Sequence, residues 1–156
     1  MKELRIQSEQ AMIELGEFLG ERVIPGDLLF LSGDLGAGKT TLVKGIAKGM
    51  GISATITSPT FQLIKTYYGK YRLNHLDLYR LNDESEAEIL EPEELVAEGV
   101  AVIEWGELLK NRLFDEYLEI GIEYDEVIDT RRVTLRPIGL RYQQIVKELT
   151  DAYSWP

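Results

Sequence analysis

The chain has 156 residues, 44% of them hydrophobic and 28% charged, which fits one domain built around a single core. Its formal net charge of −10 opposes a phosphate backbone, so DNA is not an expected partner and RNA would need a second protein to supply the grip. Cysteine is absent, excluding disulfides, thiolate metal sites and cysteine nucleophiles, and no apolar run nears the ~20 residues of a membrane span. A cytoplasmic protein without membrane attachment is expected.

The opening Met-Lys-Glu-Leu leads into a polar, acidic stretch unlike a secretory signal, and no element is assigned to it. Ser8 then precedes Ala11, Met12, Leu15, Phe18 and Leu19, an apolar stripe at helical spacing with a serine cap. Pro25-Gly26 turns the chain into Asp27-Leu28-Leu29-Phe30-Leu31-Ser32, a continuous apolar run of the kind found in buried strands. Residues 33–38 cannot continue that strand. From Lys39, the residues Leu42, Val43, Ile46 and Ala47 recur at helical spacing until Gly49 and Gly51.

Residues 61–67 and 71–76 predict a hairpin turning at Tyr68-Gly69-Lys70. The acidic stretch 82–98 reads as helical, broken at Pro92, and as a solvated face. Residues 99–104 are a second buried strand, closing on Glu104. Residues 117–124 and 132–137 alternate like strands around a polar loop, with Arg131 and Arg132 read as the start of a solvated strand, and 140–149 predict a last helix. Strands interleaved with helices, plus hairpin strands, give an α/β fold: one domain over 1–156, with a mixed parallel and antiparallel sheet flanked by helices.

Gly33-Asp34-Leu35-Gly36-Ala37-Gly38-Lys39-Thr40 fits G-x-x-x-x-G-K-[ST] at every fixed position. Glycines reach backbone torsions closed to other residues, so successive N–H groups can turn inward onto phosphate oxygens. The helix starting at Lys39 adds its positive end, the Lys39 ammonium reaches the β and γ phosphates, and the Thr40 hydroxyl holds Mg²⁺. The context agrees, since a buried strand precedes the loop and an amphipathic helix follows it. ATP with Mg²⁺ is the expected ligand.

Glu104 ends the best neighbouring strand and is the expected second magnesium ligand, with Trp105 beside it as a packing or site residue. Asp77, in His75-Leu76-Asp77-Leu78-Tyr79-Arg80, is a second candidate for holding magnesium or water, or else a turn-capping aspartate. His75 alternates with apolar neighbours and reads as structural rather than catalytic. Thr60, in Ser58-Pro59-Thr60, lies in a polar loop where a threonine can sense the γ-phosphate.

Together, Gly33–Thr41, Ser-Pro-Thr-Phe at 58–61, His-Leu-Asp-Leu-Tyr-Arg-Leu at 75–81 and Ile-Glu-Trp at 103–105 resemble, in order and spacing, the TsaE family. Its members are bacterial ATPases of tRNA threonylcarbamoyladenosine biosynthesis, and the resemblance runs from about Glu9 into the loop after Tyr124. It implies a small P-loop NTPase acting in the cytoplasm with TsaB and TsaD. Together they support transfer of a threonylcarbamoyl group to adenosine 37 of tRNAs reading codons beginning with A, so tRNA is met through the complex. By matching position, the resemblance implies that Gly33, Leu35, Gly36, Ala37, Gly38, Lys39, Thr40 and Thr41 bind the nucleotide. Thr40 and Glu104 hold Mg²⁺, Asp77 stands at the phosphates, Thr60 lies in the segment that responds to them, Trp105 lies beside the site and Glu9 near the base. Lys39, Asp77 and Thr60 are then the catalytic set. Residues 125–130 depart from the family's pattern, so the adenine contacts are unassigned.

Other classes remain open. A GTPase would carry Asn-Lys-x-Asp and Asp-x-x-Gly motifs, and the sequence has neither. A small-molecule kinase would keep the loop and add an acceptor pocket. A non-catalytic ATP-binding protein would keep the loop without turnover. No arginine finger is evident, so a partner is expected to speed a slow ATPase.

Overall fold

The computed structural model describes residues 1–156 apart from 35, 60–62, 80, 82–85, 87, 106–113 and 153–156. Seven strands form one sheet. They are β1 (Lys2–Ile6), β2 (Leu28–Gly33), β3 (Ile64–Tyr68), β4 (Arg72–Asp77), β5 (Val100–Glu104), β6 (Tyr117–Tyr124) and β7 (Arg131–Ile138), in the spatial order β1-β7-β6-β2-β5-β4-β3. The central strands are parallel (β6 with β2, β2 with β5, β5 with β4), and the outer pairs β1/β7, β7/β6 and β4/β3 are antiparallel. The mixed α/β sheet expected from the sequence is therefore present.

Composition explains the order. Leu28, Leu29, Phe30 and Leu31 of β2 and all five residues of β5 are buried, as central strands covered on both faces must be. The hairpin strand β3 lies at one edge and keeps its exposed Tyr68. At the other edge, β1 was not anticipated. Lys2, Glu3 and Arg5 dominate its composition, yet Leu4 and Ile6 alternate with them and are buried against the core.

Helix α1 (Glu9–Arg22) starts where expected, with the Ser8 hydroxyl accepting the Ala11 N–H at 3.0 Å. It packs on α2 (Lys39–Gly49) through glycines from both helices. A β-carbon at Gly20 would sit 2.1 Å from the Ile46 carbonyl oxygen, and one at Gly45 would sit 2.3 Å from that of Ile13. The backbones therefore touch, which sets where α2, and with it Lys39, stands relative to the sheet. Of the acidic stretch, a short α3 (Pro92–Ala97) is helical.

The last helix, α4 (Leu140–Ala152), packs against β7 and reaches α1. It is anchored at the start of β2. The buried Asp27 carboxylate accepts Arg141 Nε at 2.7 Å, Arg141 Nη2 at 2.6 Å and the Ile24 N–H at 2.8 Å. The adjoining Tyr142 hydroxyl accepts the Leu28 N–H at 2.9 Å. Burial pushes that hydroxyl up to about 12, with the Leu28 N–H working the other way.

Helices α1, α2 and α4 share a core with one face of the sheet, where Leu29, Leu31, Val100 and Val102 point. The alternate residues Leu28, Phe30, Ala101 and Ile103 meet a smaller cluster with Val96 of α3. Among the described residues no helix is long and apolar enough to cross a membrane.

Candidate functional site

The site forms where β2 ends and α2 begins. Gly33, Gly36 and Gly38 have φ of +148°, +77° and +122°, so the backbone uses the freedom that the glycine spacing implied. A side chain at Gly33 would also place its first carbon 2.4 Å from the Ile122 carbonyl oxygen of β6. The turn is closed by the Ala37 N–H on the Asp34 carbonyl at 3.0 Å. Gly38 caps α2 without a side chain, and the first intrahelical bond runs from the Leu42 N–H to the Gly38 carbonyl. The amides of Lys39, Thr40 and Thr41 precede that bond, and the first turn holds no acidic residue. This is the chemistry of an anion cradle: amides and the positive end of a helix dipole, with no acidic residue in the helix's first turn.

Lys39 is buried and folds back over the loop, its Nζ donating to the Gly33 carbonyl at 2.8 Å. The same Nζ lies 3.7 Å from Glu104 Oε1 and 4.7 Å from the centre of the Trp105 ring. Glu104, the last residue of β5, is itself buried, and its Oε2 lies 2.6 Å from His75 Nε2. Sheet register places Asp77, the last residue of β4, directly beside Glu104, so two buried carboxylates end adjacent strands. Asp77 Oδ1 also accepts the Tyr79 N–H at 3.0 Å, so this aspartate caps a turn and faces the site region at once.

Trp105 follows with φ +56°, a left-handed conformation that is strained for a tryptophan. That turn aims its ring at Lys39 and tilts it against Tyr79, ring centres 5.2 Å apart.

Open space lies on both sides of the loop. A cleft of about 510 Å³ is lined by Ser8, Glu9, Met12, Gly36, Gly38, Thr41, Asp129 and Arg131. A second, of about 410 Å³, is lined by Gly33, Asp34, Trp105, Glu123 and Tyr124. The sequence residues Gly33, Gly36, Ala37, Gly38, Lys39, Thr40, Thr41, Asp77, Glu104, Trp105 and Glu9 thus converge on one end of the sheet. Leu35 and Thr60 lie outside the described residues.

One reading needs correcting. Arg131 is not simply the start of a solvated strand: its Nε donates to the Ala37 carbonyl of the loop at 3.0 Å, and its guanidinium lies 4.4 Å from the centre of the Tyr124 ring. Arg131 and Asp129 belong to the larger cleft and were missed. Their only local signal was a polar turn, and the loop they meet lies some ninety residues earlier in the chain. The pairing of His75 with Glu104 was missed for the same reason.

The chain is similar to known proteins over most of its length. Residues 6–133 match the family model described as "Threonylcarbamoyl adenosine biosynthesis protein TsaE". The tRNA threonylcarbamoyladenosine biosynthesis protein TsaE of Bacillus subtilis (strain 168) is 45% identical over 127 residues, covering 81% of this chain and 79% of that protein. The TsaE protein of Nostoc sp. is 34% identical over 151 residues, covering 94% and 92%. The crystal structure of Bacillus subtilis YdiB superposes with a TM-score of 0.81 at 33% identity, over 97% of this chain and 95% of that one. A family model matched over residues 6–133 and relatives aligned over most of the chain lead to one conclusion: this chain belongs to the TsaE family.

Proposed function

We propose that the chain is a magnesium-dependent ATPase of the cytoplasm that supports formation of threonylcarbamoyladenosine at position 37 of tRNAs reading codons beginning with A. It acts with TsaB and TsaD and meets tRNA through them. The observation that carries the nucleotide part is the position of Lys39. Its ammonium rests on the Gly33 carbonyl at the start of the helix that follows the loop, where a triphosphate would draw it onto the β and γ oxygens. The names of the relatives carry the pathway.

The residues fit the two ligands. The cradle has no side chains at Gly33, Gly36 and Gly38 to obstruct phosphate oxygens, and Thr40 and Thr41 begin the helix that faces them. In the larger cleft, Glu9 and Asp129 offer carboxylates to the amino group of adenine, and Met12 offers an apolar surface to its ring. Magnesium would be held by the Thr40 hydroxyl and by Glu104, whose Oε1 faces Lys39 at a distance beyond hydrogen bonding. An ion held there would supply neutralisation of the charge developing on the transferring phosphoryl group.

The chain's own groups do the rest. Lys39 and the loop amides stabilise the β and γ oxygens, and Asp77 orients the attacking water. Thr60 is the proposed sensor of the γ-phosphate. Trp105 screens the ammonium from solvent with its ring.

The test is calorimetry with ATP and magnesium followed by turnover, alone and with TsaB and TsaD. Uptake with slow turnover that the partners accelerate is the expected result. Fast turnover without partners would remove the accessory role, and absence of uptake would remove the nucleotide reading. The second cleft, beside Gly33 and Trp105, is the feature that favours a small-molecule kinase. Transfer of phosphate to a metabolite rather than to water would decide for that alternative.

A further inference from the structure

We propose that His75 is a positioning residue that fixes the Glu104 carboxylate in the orientation magnesium requires, an inference resting on the nucleotide reading above. In the parallel register of β4 and β5, His75 stands opposite Val102 and Asp77 opposite Glu104. All four side chains therefore leave the same face of the sheet, the one that α2 covers. His75 is completely buried there, with Nε2 2.6 Å from Glu104 Oε2. An ionised carboxylate offers only acceptors, so Nε2 donates to it.

Nδ1 is buried and has no hydrogen-bond partner among the described residues. His75 gives up one nitrogen to hold one carboxylate oxygen. The hold matters because the last torsion of a glutamate is broad and roughly two-fold. Tying Oε2 to the imidazole removes that freedom and leaves Oε1 turned toward Lys39, 3.7 Å away. Carboxylates of a metal shell are commonly oriented by such hydrogen bonds from behind.

Affinity for a non-hydrolysable ATP analogue, measured by calorimetry on the whole chain with and without magnesium, tests this. Urea unfolding checks that each variant is folded. H75L and H75N, which place no donor near the Nε2 position, should lose the magnesium-dependent gain in affinity by about tenfold or more. Their magnesium-free affinity should stay within about twofold of the original. H75Q, whose amide N–H reaches close to the lost Nε2, should recover most of the gain. If H75L does not fold, H75N against H75Q decides. Retention of the full gain in H75N, or an equal loss with and without magnesium, would overturn the proposal. E104Q, run in parallel, separates the two levels. If it keeps the gain, the assignment of Glu104 to magnesium fails and the His75 proposal with it. If it loses the gain while H75N keeps it, only the His75 proposal fails.

Discussion

Two buried charged clusters stand at opposite ends of β2, and they are finished differently. At the start of the strand, Asp27 takes three hydrogen bonds, two from Arg141 and one from the Ile24 N–H, and the neighbouring Tyr142 completes the Leu28 amide. At the far end, Lys39 stands 3.7 Å from Glu104 and leans on a loop carbonyl, and Glu104 is held from behind by His75, whose other ring nitrogen has no partner among the described residues. The strained Trp105 backbone is at this end too. A closed cluster stabilises the fold. An open one holds its charges ready for a ligand at some cost to stability, the pattern expected of a site.

The sharpest way to break this contrast is Asp27→Ala. It leaves the half-buried Arg141 with only the Arg22 carbonyl and removes three hydrogen bonds, and should cost about 3 kcal/mol of stability by urea unfolding. Nucleotide affinity of the folded fraction should not change. Lys39→Ala should do the reverse, costing about 3 kcal/mol of ATP binding by calorimetry while shifting stability by less than about 1 kcal/mol. Equal stability losses in the two variants would erase the distinction.

Tyr142→Phe leaves the Leu28 N–H buried without an acceptor and should cost about 2 kcal/mol near neutral pH. The hydroxyl is raised to about 12 in the folded protein from its ordinary value near 10, so the folded state binds its proton more tightly. Its contribution is complete below about pH 10 and is lost as the pH climbs toward 12. Denaturant titrations across that window should show a steeper decline in the parent chain than in the phenylalanine variant. The smallest effect is expected for Arg131→Ala, which unties the loop at Ala37: about tenfold in nucleotide affinity, with little change in stability. An unchanged affinity would return Arg131 to the role of a surface strand residue.

The sequence determined by itself whatever is written in neighbouring residues. The glycine spacing set the loop torsions, the apolar run of β2 its central place, and the serine before α1 its start, because each depends on torsions and periodicity within a few residues. Glu104 and Asp77 were legible as strand ends, since a buried run closing on a charge marks a boundary. Only the tertiary structure decided what depends on strand order. It paired charged β1 with β7 and brought Arg131 onto Ala37, His75 onto Glu104 and Arg141 onto Asp27, across separations of 94, 29 and 114 residues. Such contacts leave no local trace, because their free energy appears only once the sheet has assembled and water has been excluded from the pair.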